Sequence, residues 1–392
     1  MTTRGSAIAA ALAGAALVCC EGRGAARQEL KMERLLVFGG SKRYPWSREQ
    51  TLRRLPDGSL LCVWLTGGQS DGAVGNVVAA ARSTDDGMTW TEPEVLFSRP
   101  GHGCFVTELF PVGDKAFMFV RIHSKPRMQG EWESTVIGLD AQGKVAGQPR
   151  LVEGEWPVGP KVQCGTALRD GRILFPVNLY EPMKRAEETT RLNDKESAAL
   201  WHTGGSFTMK NLFVCAVLEP NRSFTKFTRT GRVCKPTPGA AVPQVPLMEP
   251  QIAELSDGSL AMLIRADGTG VLYRSDSKDG GRTWSEPRPS DIPNPGTKTR
   301  ILTLPDKRIL LVHNPNPTLN VRGWQSRVLL SVWISGDDMR TWSWKRVIVP
   351  PPEVAMYPDA FLDERQQTVY LSWENGKQIW LTRLPLAATR EP

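Results

Sequence analysis

Short apolar runs alternate with polar turns along the chain, and one such unit recurs six times. Each copy is a turn built on an aspartate that leads into a short strand. The first three are Pro56-Asp57-Gly58-Ser59-Leu60-Leu61, Gly113-Asp114-Lys115-Ala116-Phe117-Met118 and Arg169-Asp170-Gly171-Arg172-Ile173-Leu174. Ser256-Asp257-Gly258-Ser259-Leu260-Ala261, Pro305-Asp306-Lys307-Arg308-Ile309-Leu310 and Leu362-Asp363-Glu364-Arg365-Gln366-Gln367 follow. Successive turn aspartates are 57, 56, 87, 49 and 57 residues apart. The Asp-Gly form suits a tight hairpin, because glycine accepts positive φ without steric cost. The apolar run after it reads as a buried strand.

A second motif marks the far end of some units. Ser83-Thr84-Asp85-Asp86-Gly87-Met88-Thr89-Trp90 and Ser277-Lys278-Asp279-Gly280-Gly281-Arg282-Thr283-Trp284 share the pattern Ser-x-Asp-x-Gly-x-Thr-Trp, the Asp-box. Ser335-Gly336-Asp337-Asp338-Met339-Arg340-Thr341-Trp342 is a degraded copy with Met339 in the glycine place. Its Ser and Asp can bond backbone groups of a hairpin while the Trp packs between strands, so the motif reads as a structural staple without chemistry. The 366 residues after Ala26 divide into six units of about 61. That length fits four short strands and their loops, which is a propeller blade. The predicted fold is all-β, a single six-bladed β-propeller over 27–392, with a polar insertion near 180–205 in the longest gap. The Pro-rich stretch from Cys234 to Pro250 reads as the connection into the fourth blade.

Composition narrows the function classes. The formal net charge is +8, yet no run of five or more Lys/Arg occurs, so nucleic acid is not an expected partner. Arg4 precedes an Ala-rich apolar run, Ala7 to Cys20, that is too short to span a bilayer, and Gly24-Ala25-Ala26 offers small residues for cleavage. Residues 1–26 are therefore expected to be a signal peptide and the protein to be secreted or periplasmic. Leu17-Val18-Cys19-Cys20 is a poor lipoprotein box, which leaves a lipid-anchored form as the lesser alternative. No later stretch reaches the roughly 18 apolar residues of a spanning helix. Five cysteines follow the leader, Cys62, Cys104, Cys164, Cys215 and Cys234, an odd number with no Cys-x-x-Cys pair; buried thiols are expected. His102, His123, His202 and His313 are never at metal-ligand spacing, so neither a His-held metal nor a Ser-His-Asp mechanism is expected.

Seven polar residues stand in order on this background: Arg48, Asp71, Glu249, Arg265, Arg327, Tyr357 and Glu374. Arg48 lies ten residues before Gly58, and Asp71 lies 12 before the first Asp-box serine. Arg265 follows Glu249 by 16, Tyr357 follows Arg327 by 30, and Glu374 follows Tyr357 by 17. Together with the Asp-boxes, this spacing resembles the exo-α-sialidase (neuraminidase) family of six-bladed BNR-repeat propellers, from about Tyr44 to Leu386. One departure stands out: Glu49-Gln50 follow Arg48 where the family has Ile-Pro. Arg53 and Arg54 are the nearby alternatives to Arg48, and Arg322 to Arg327. Gly67-Gly68-Gln69-Ser70 and Gly72 read as a mobile connection around Asp71.

The resemblance implies roles. Arg48, Arg265 and Arg327 would clamp the carboxylate of a sialic acid, since guanidinium forks bidentately and is always charged. Tyr357 would attack the anomeric carbon, Glu249 would take its proton, Asp71 would serve as acid and then base, and Glu374 would orient Arg48. A neutral phenol suits a carbon that bears a carboxylate, whereas the usual carboxylate nucleophile would be repelled. No cofactor or metal is implied. The partner is a sialylated glycoconjugate or another acidic glycan, met by a monomer. The alternatives are a non-catalytic glycan-binding propeller and a glycosidase acting on another acidic sugar.

Overall fold

The computed structural model describes residues 32–124, 132–154, 159–182, 211–236, 244–318 and 324–389. The expected leader (1–26), Arg322 and nearly all of the 180–205 insertion lie outside them. The insertion separates the second and third strands of one blade, Ile173–Pro182 and Asn211–Pro220. The described chain is almost entirely strand.

Six antiparallel blade sheets follow one another, running inner to outer in chain order in blades one to five, while blade six takes its outer strand from residues that precede blade one. The first blade is Arg48–Arg54, Leu60–Thr66, Val77–Ser83 and Glu94–Phe97. Gly103–Val112, Lys161–Val162 with Thr166–Ala167, Leu247–Glu254, Arg300–Thr303 and Met356–Asp363 are the inner strands of blades two to six. Every one of the six Asp turns joins an inner strand to the second strand of its blade. At the first, Gly58 sits at φ +89 and donates to the Leu55 carbonyl, while Asp57 accepts from the Ser59 amide. Cys234–Pro250 is only partly a connection. It forms a short ribbon, Lys235–Pro236 with Gln244–Val245, and from Leu247 it is already the inner strand of blade four.

The second strands explain the uninterrupted apolar runs. Leu60–Thr66 is buried at every position because both faces of its sheet are covered by neighbouring blades. Leu60, Cys62 and Trp64 point into the core shared with blade six, and Leu61 and Val63 into the core shared with blade two. Further apolar cores fill the remaining blade interfaces. At about 1.5–3 kcal/mol per fully buried large aliphatic side chain, these interfaces hold the ring together. The ring closes through Arg34–Phe38, which pairs with Ile379–Pro385 as the outer strand of blade six. Cys62, Cys104, Cys164 and Cys215 are buried thiols.

All three Asp-boxes fold alike, between the third and fourth strands of blades one, four and five. Asp85 accepts from the Thr89 amide and hydroxyl at 2.9 and 2.6 Å, and Ser83 Oγ accepts from the Gly87 amide at 2.8 Å. Met339 takes the glycine's left-handed backbone at φ +65, and its amide still donates to Ser335 Oγ at 2.9 Å. Third strands end where inner strands end, so the boxes and the Asp turns share one end of the propeller. The opposite end is left for chemistry.

Candidate active site

At that opposite end, three inner strands carry the same irregularity. One extra residue is inserted between Arg48 and Thr51, between Met248 and Gln251, and between Met356 and Asp359. The residue that opens each irregularity is left-handed: Glu49 at φ 50, Glu249 at φ 50 and Tyr357 at φ 48. A left-handed backbone costs a non-glycine residue about 1–2 kcal/mol, and bulges of this kind re-aim side chains. Three blades thus turn a functional side chain inward at equivalent points.

Arg48 is wholly buried and donates from Nη1 to Glu374 Oε1 at 3.0 Å. Glu374 stands opposite Met356 at the end of the second strand of blade six, and its other oxygen accepts from the Gly376 amide. Burial pushes the Glu374 carboxyl up to about 7, although Arg48 and the Gly376 amide pull the other way. Trp324 stacks on the Arg48 guanidinium at 3.4 Å, with Trp46 5.4 Å away. Arg327, in the approach to the third strand of blade five, donates to the Gly296 carbonyl at 3.2 Å. The guanidinium carbons of Arg327 and Arg48 lie 5.0 and 5.8 Å from the centre of the Tyr357 ring. Nε and Nη2 of Arg48, and Nε and Nη1 of Arg327, are buried without a hydrogen-bond partner.

Arg265 ends the second strand of blade four. It donates to both oxygens of Asp267, at 2.7 and 3.1 Å, and to Glu249 Oε2 at 3.0 Å. Glu249 Oε1 accepts from Lys161 at 2.9 Å, and the same ammonium donates to Glu49 Oε1 at 2.9 Å. Burial opposes the Glu249 charge, but Lys161 and Arg265 outweigh it and hold the carboxyl well below the usual range. Both cations are close enough to Tyr357 to interact with it electrostatically. Among the described residues no hydrogen bond joins Glu249 to the Tyr357 hydroxyl.

Asp71 reaches the same pocket from the loop between the second and third strands of blade one. Its Oδ1 is 3.9 Å from Arg48 Nε. Burial raises its pKa, the Arg48 charge opposes that, and the Glu49 charge adds to it. The loop is tied down rather than a bare connection: Asn76 donates to the Ser70 and Asp71 carbonyls and accepts from the Gly68 amide. A Cβ on Gly68 would meet Asn76 Oδ1 at 2.2 Å, so only glycine fits there.

All seven expected residues therefore sit at one end, on or beside bulged inner strands. Arg53 and Arg54 do not join them. Arg53 lies deeper, between Glu108 and Asp359, and Arg54 pairs with Asp86 and Asp363 near the Asp turns. Lys161, Lys298, Asp267, Trp324 and Asn76 were missed by sequence reasoning. Lys161 and Lys298 both pair with Glu49, the residue that departs from the family pattern. Among the described residues no group of three or more His, Cys, Asp or Glu is placed to hold a metal, and no helix is long and apolar enough to cross a membrane.

A family model described as BNR repeat-like domain matches residues 58–370. The chain belongs to that family. No curated protein matches it. Similar solved structures place this BNR repeat-like chain among sialidase propellers in fold. The Hadza microbial sialidase Hz136 is 14% identical with a TM-score of 0.66, over 88% of this chain and 66% of that one. Trypanosoma rangeli sialidase is 16% identical with a TM-score of 0.64, over 90% and 59%. A Dyadobacter fermentans protein of unknown function is 15% identical with a TM-score of 0.64, over 90% and 97%. The BNR repeat-like chain thus spans just under two thirds of Hz136 and about three fifths of the T. rangeli enzyme, and at these identities the likeness is one of fold.

Proposed function

We propose that this protein is a retaining exo-glycosidase that releases a terminal sialic acid from glycoconjugates. The observation that carries this reading is the pair of buried guanidinium groups, Arg48 and Arg327, flanking Tyr357 with donor atoms left unpaired. Buried charged donors without partners are costly, and a carboxylate bound beside Tyr357 would satisfy them.

In this reading the carboxylate sits among Arg48, Arg327 and Arg265, leaving the anomeric carbon against the Tyr357 hydroxyl. Asp71 donates its proton to the leaving oxygen as the glycosidic bond breaks. Tyr357 Oη bonds to the anomeric carbon and its proton passes to Glu249. Water then attacks from the vacated side, giving a proton to Asp71, while the Tyr357–carbon bond breaks and the tyrosine recovers its proton from Glu249. Two displacements return the sugar with retained configuration. Glu374 fixes Arg48.

The test is hydrolysis of a fluorogenic sialoside by the purified protein, with NMR of the first-formed anomer. Release of the α-anomer by the wild type, and loss of turnover in Tyr357→Phe, is the expected result. Sialoside binding with no turnover by the wild type from pH 4 to 8 would make it a glycan-binding propeller instead.

A further inference from the structure

The pocket holds a largely enclosed cation, Lys161, that the sialidase resemblance does not include. Lys161, at the start of the inner strand of blade three, donates to Glu49 on one side and to Glu249 on the other, each at 2.9 Å. Glu49 and Glu249 occupy equivalent bulge positions, so one ammonium bridges two matching points of the ring. Glu49 is anchored in turn through its second oxygen by buried Lys298 at 3.3 Å. Glu249 is anchored through its second oxygen by Arg265. A carboxylate gripped at both oxygens from two blades has little freedom to rotate, and an ammonium largely withdrawn from water needs such partners.

Resting on the reading of Glu249 as the proton acceptor of Tyr357, we propose that Lys161 and Glu49 are positioning residues. Lys161 holds the Glu249 carboxylate in one orientation, and Glu49 holds Lys161. Glu49 stands where the resembling family has an apolar residue, so the pair replaces packing by an ionic brace. The charged and titratable groups around Glu249 are Lys161 from blade three, Arg265 and Asp267 from blade four, Lys298 from the approach to blade five, Glu49 from blade one and Tyr357 from blade six. Lys161, Arg265 and Lys298 all favour its ionised form. With Lys161 removed, burial weighs more heavily and Glu249 takes up a proton at higher pH.

The experiment measures kcat and KM on a fluorogenic sialoside for the wild type, Lys161→Met and Lys161→Arg. Lys161→Met is expected to lower kcat by about a hundredfold with little change in KM. Lys161→Arg, which keeps the charge, should recover most of that loss. A folded Lys161→Met protein with unchanged kcat and KM overturns the proposal. So does a tenfold rise in KM at unchanged kcat, which would make Lys161 a substrate contact. Lys161→Gln, which keeps hydrogen bonding without charge, serves if the Met variant does not fold and is read the same way. If the wild type turns over no sialoside, the activity reading is what fails. Carbon NMR titration of the Glu249 carboxyl in wild type and variant then judges the brace alone: an upward shift in the variant supports it, and identical titration overturns it.

Discussion

Arg48 and Glu374 face each other across 3.0 Å with neither side chain open to water. Their pairing joins the inner strand of blade one to the second strand of blade six, next to Tyr357. It also makes the site sensitive to pH. The Glu374 carboxyl titrates near 7 in the fold against an ordinary value of 4.5, because burial disfavours its charge. A raised carboxyl pKa gives a contribution to stability that is fully present below 4.5 and is lost as pH rises through 7. Over that window Glu374 alone removes on the order of 3 kcal/mol. Glu374→Gln carries no titrating proton, so its unfolding free energy should fall less than that of the wild type between pH 4.5 and 7. Denaturant melts across that range check this, and parallel curves for the two proteins would refute it.

Asp71 is the acid in the proposed reaction, and burial raises its pKa in the direction that role needs. Asp71→Asn should slow release of a poor leaving group by about 10²–10⁴-fold. An aryl sialoside with an acidic phenol needs less protonation and should be slowed far less. Comparing kcat/KM for the two substrates gives the ratio; equal losses would remove Asp71 from the acid role.

Arg327 offers two unpaired buried nitrogens beside Tyr357. Arg327→Ala should weaken binding of a sialic acid anion by about 10–100-fold, the worth of one or two charge-assisted hydrogen bonds. Calorimetry with free sialic acid measures it, and unchanged affinity would place the anion elsewhere. Arg327→Lys should recover only part of the loss, since an ammonium cannot fork.

Asp85 holds its hairpin through the Thr89 amide, the Thr89 hydroxyl and the Ser83 hydroxyl. It lies at the end of the propeller away from Tyr357. Asp85→Ala should lower Tm by a few degrees and leave kcat unchanged. A fall in kcat at a temperature where the variant is fully folded would give the Asp-box a catalytic part.

The sequence exposed what is local. The six Asp turns and the Asp-boxes are stretches of up to eight residues whose hydrogen bonds close within themselves, and even Met339 holds the box geometry. The seven spaced residues were picked out by the resemblance of their joint order and spacing to the sialidase pattern; none of them stands out alone. What stayed hidden is non-local. Nothing near Arg34–Phe38 says that its partner is Ile379–Pro385, because a strand does not encode the far strand it pairs with. Asn76 reads as an ordinary loop-end residue until its three bonds to the Asp71 loop are seen. The Glu49-Gln50 departure was visible but mute: Glu49 meets Lys161 and Lys298, and Gln50 Nε2 donates to the Tyr357 carbonyl at 2.8 Å. The partners of Glu49 and Gln50 thus lie far away in sequence, in blade three, before blade five and in blade six.

The outer strand of blade six, Arg34–Phe38, precedes blades one to five in the chain, and the strands that it joins follow them. The sheet that bears Tyr357 and Glu374 is thus whole only once the chain as far as Pro385 has folded back on Arg34–Phe38. A chain clipped near either of these strands lacks the completed sheet around Tyr357 however well its other blades are formed.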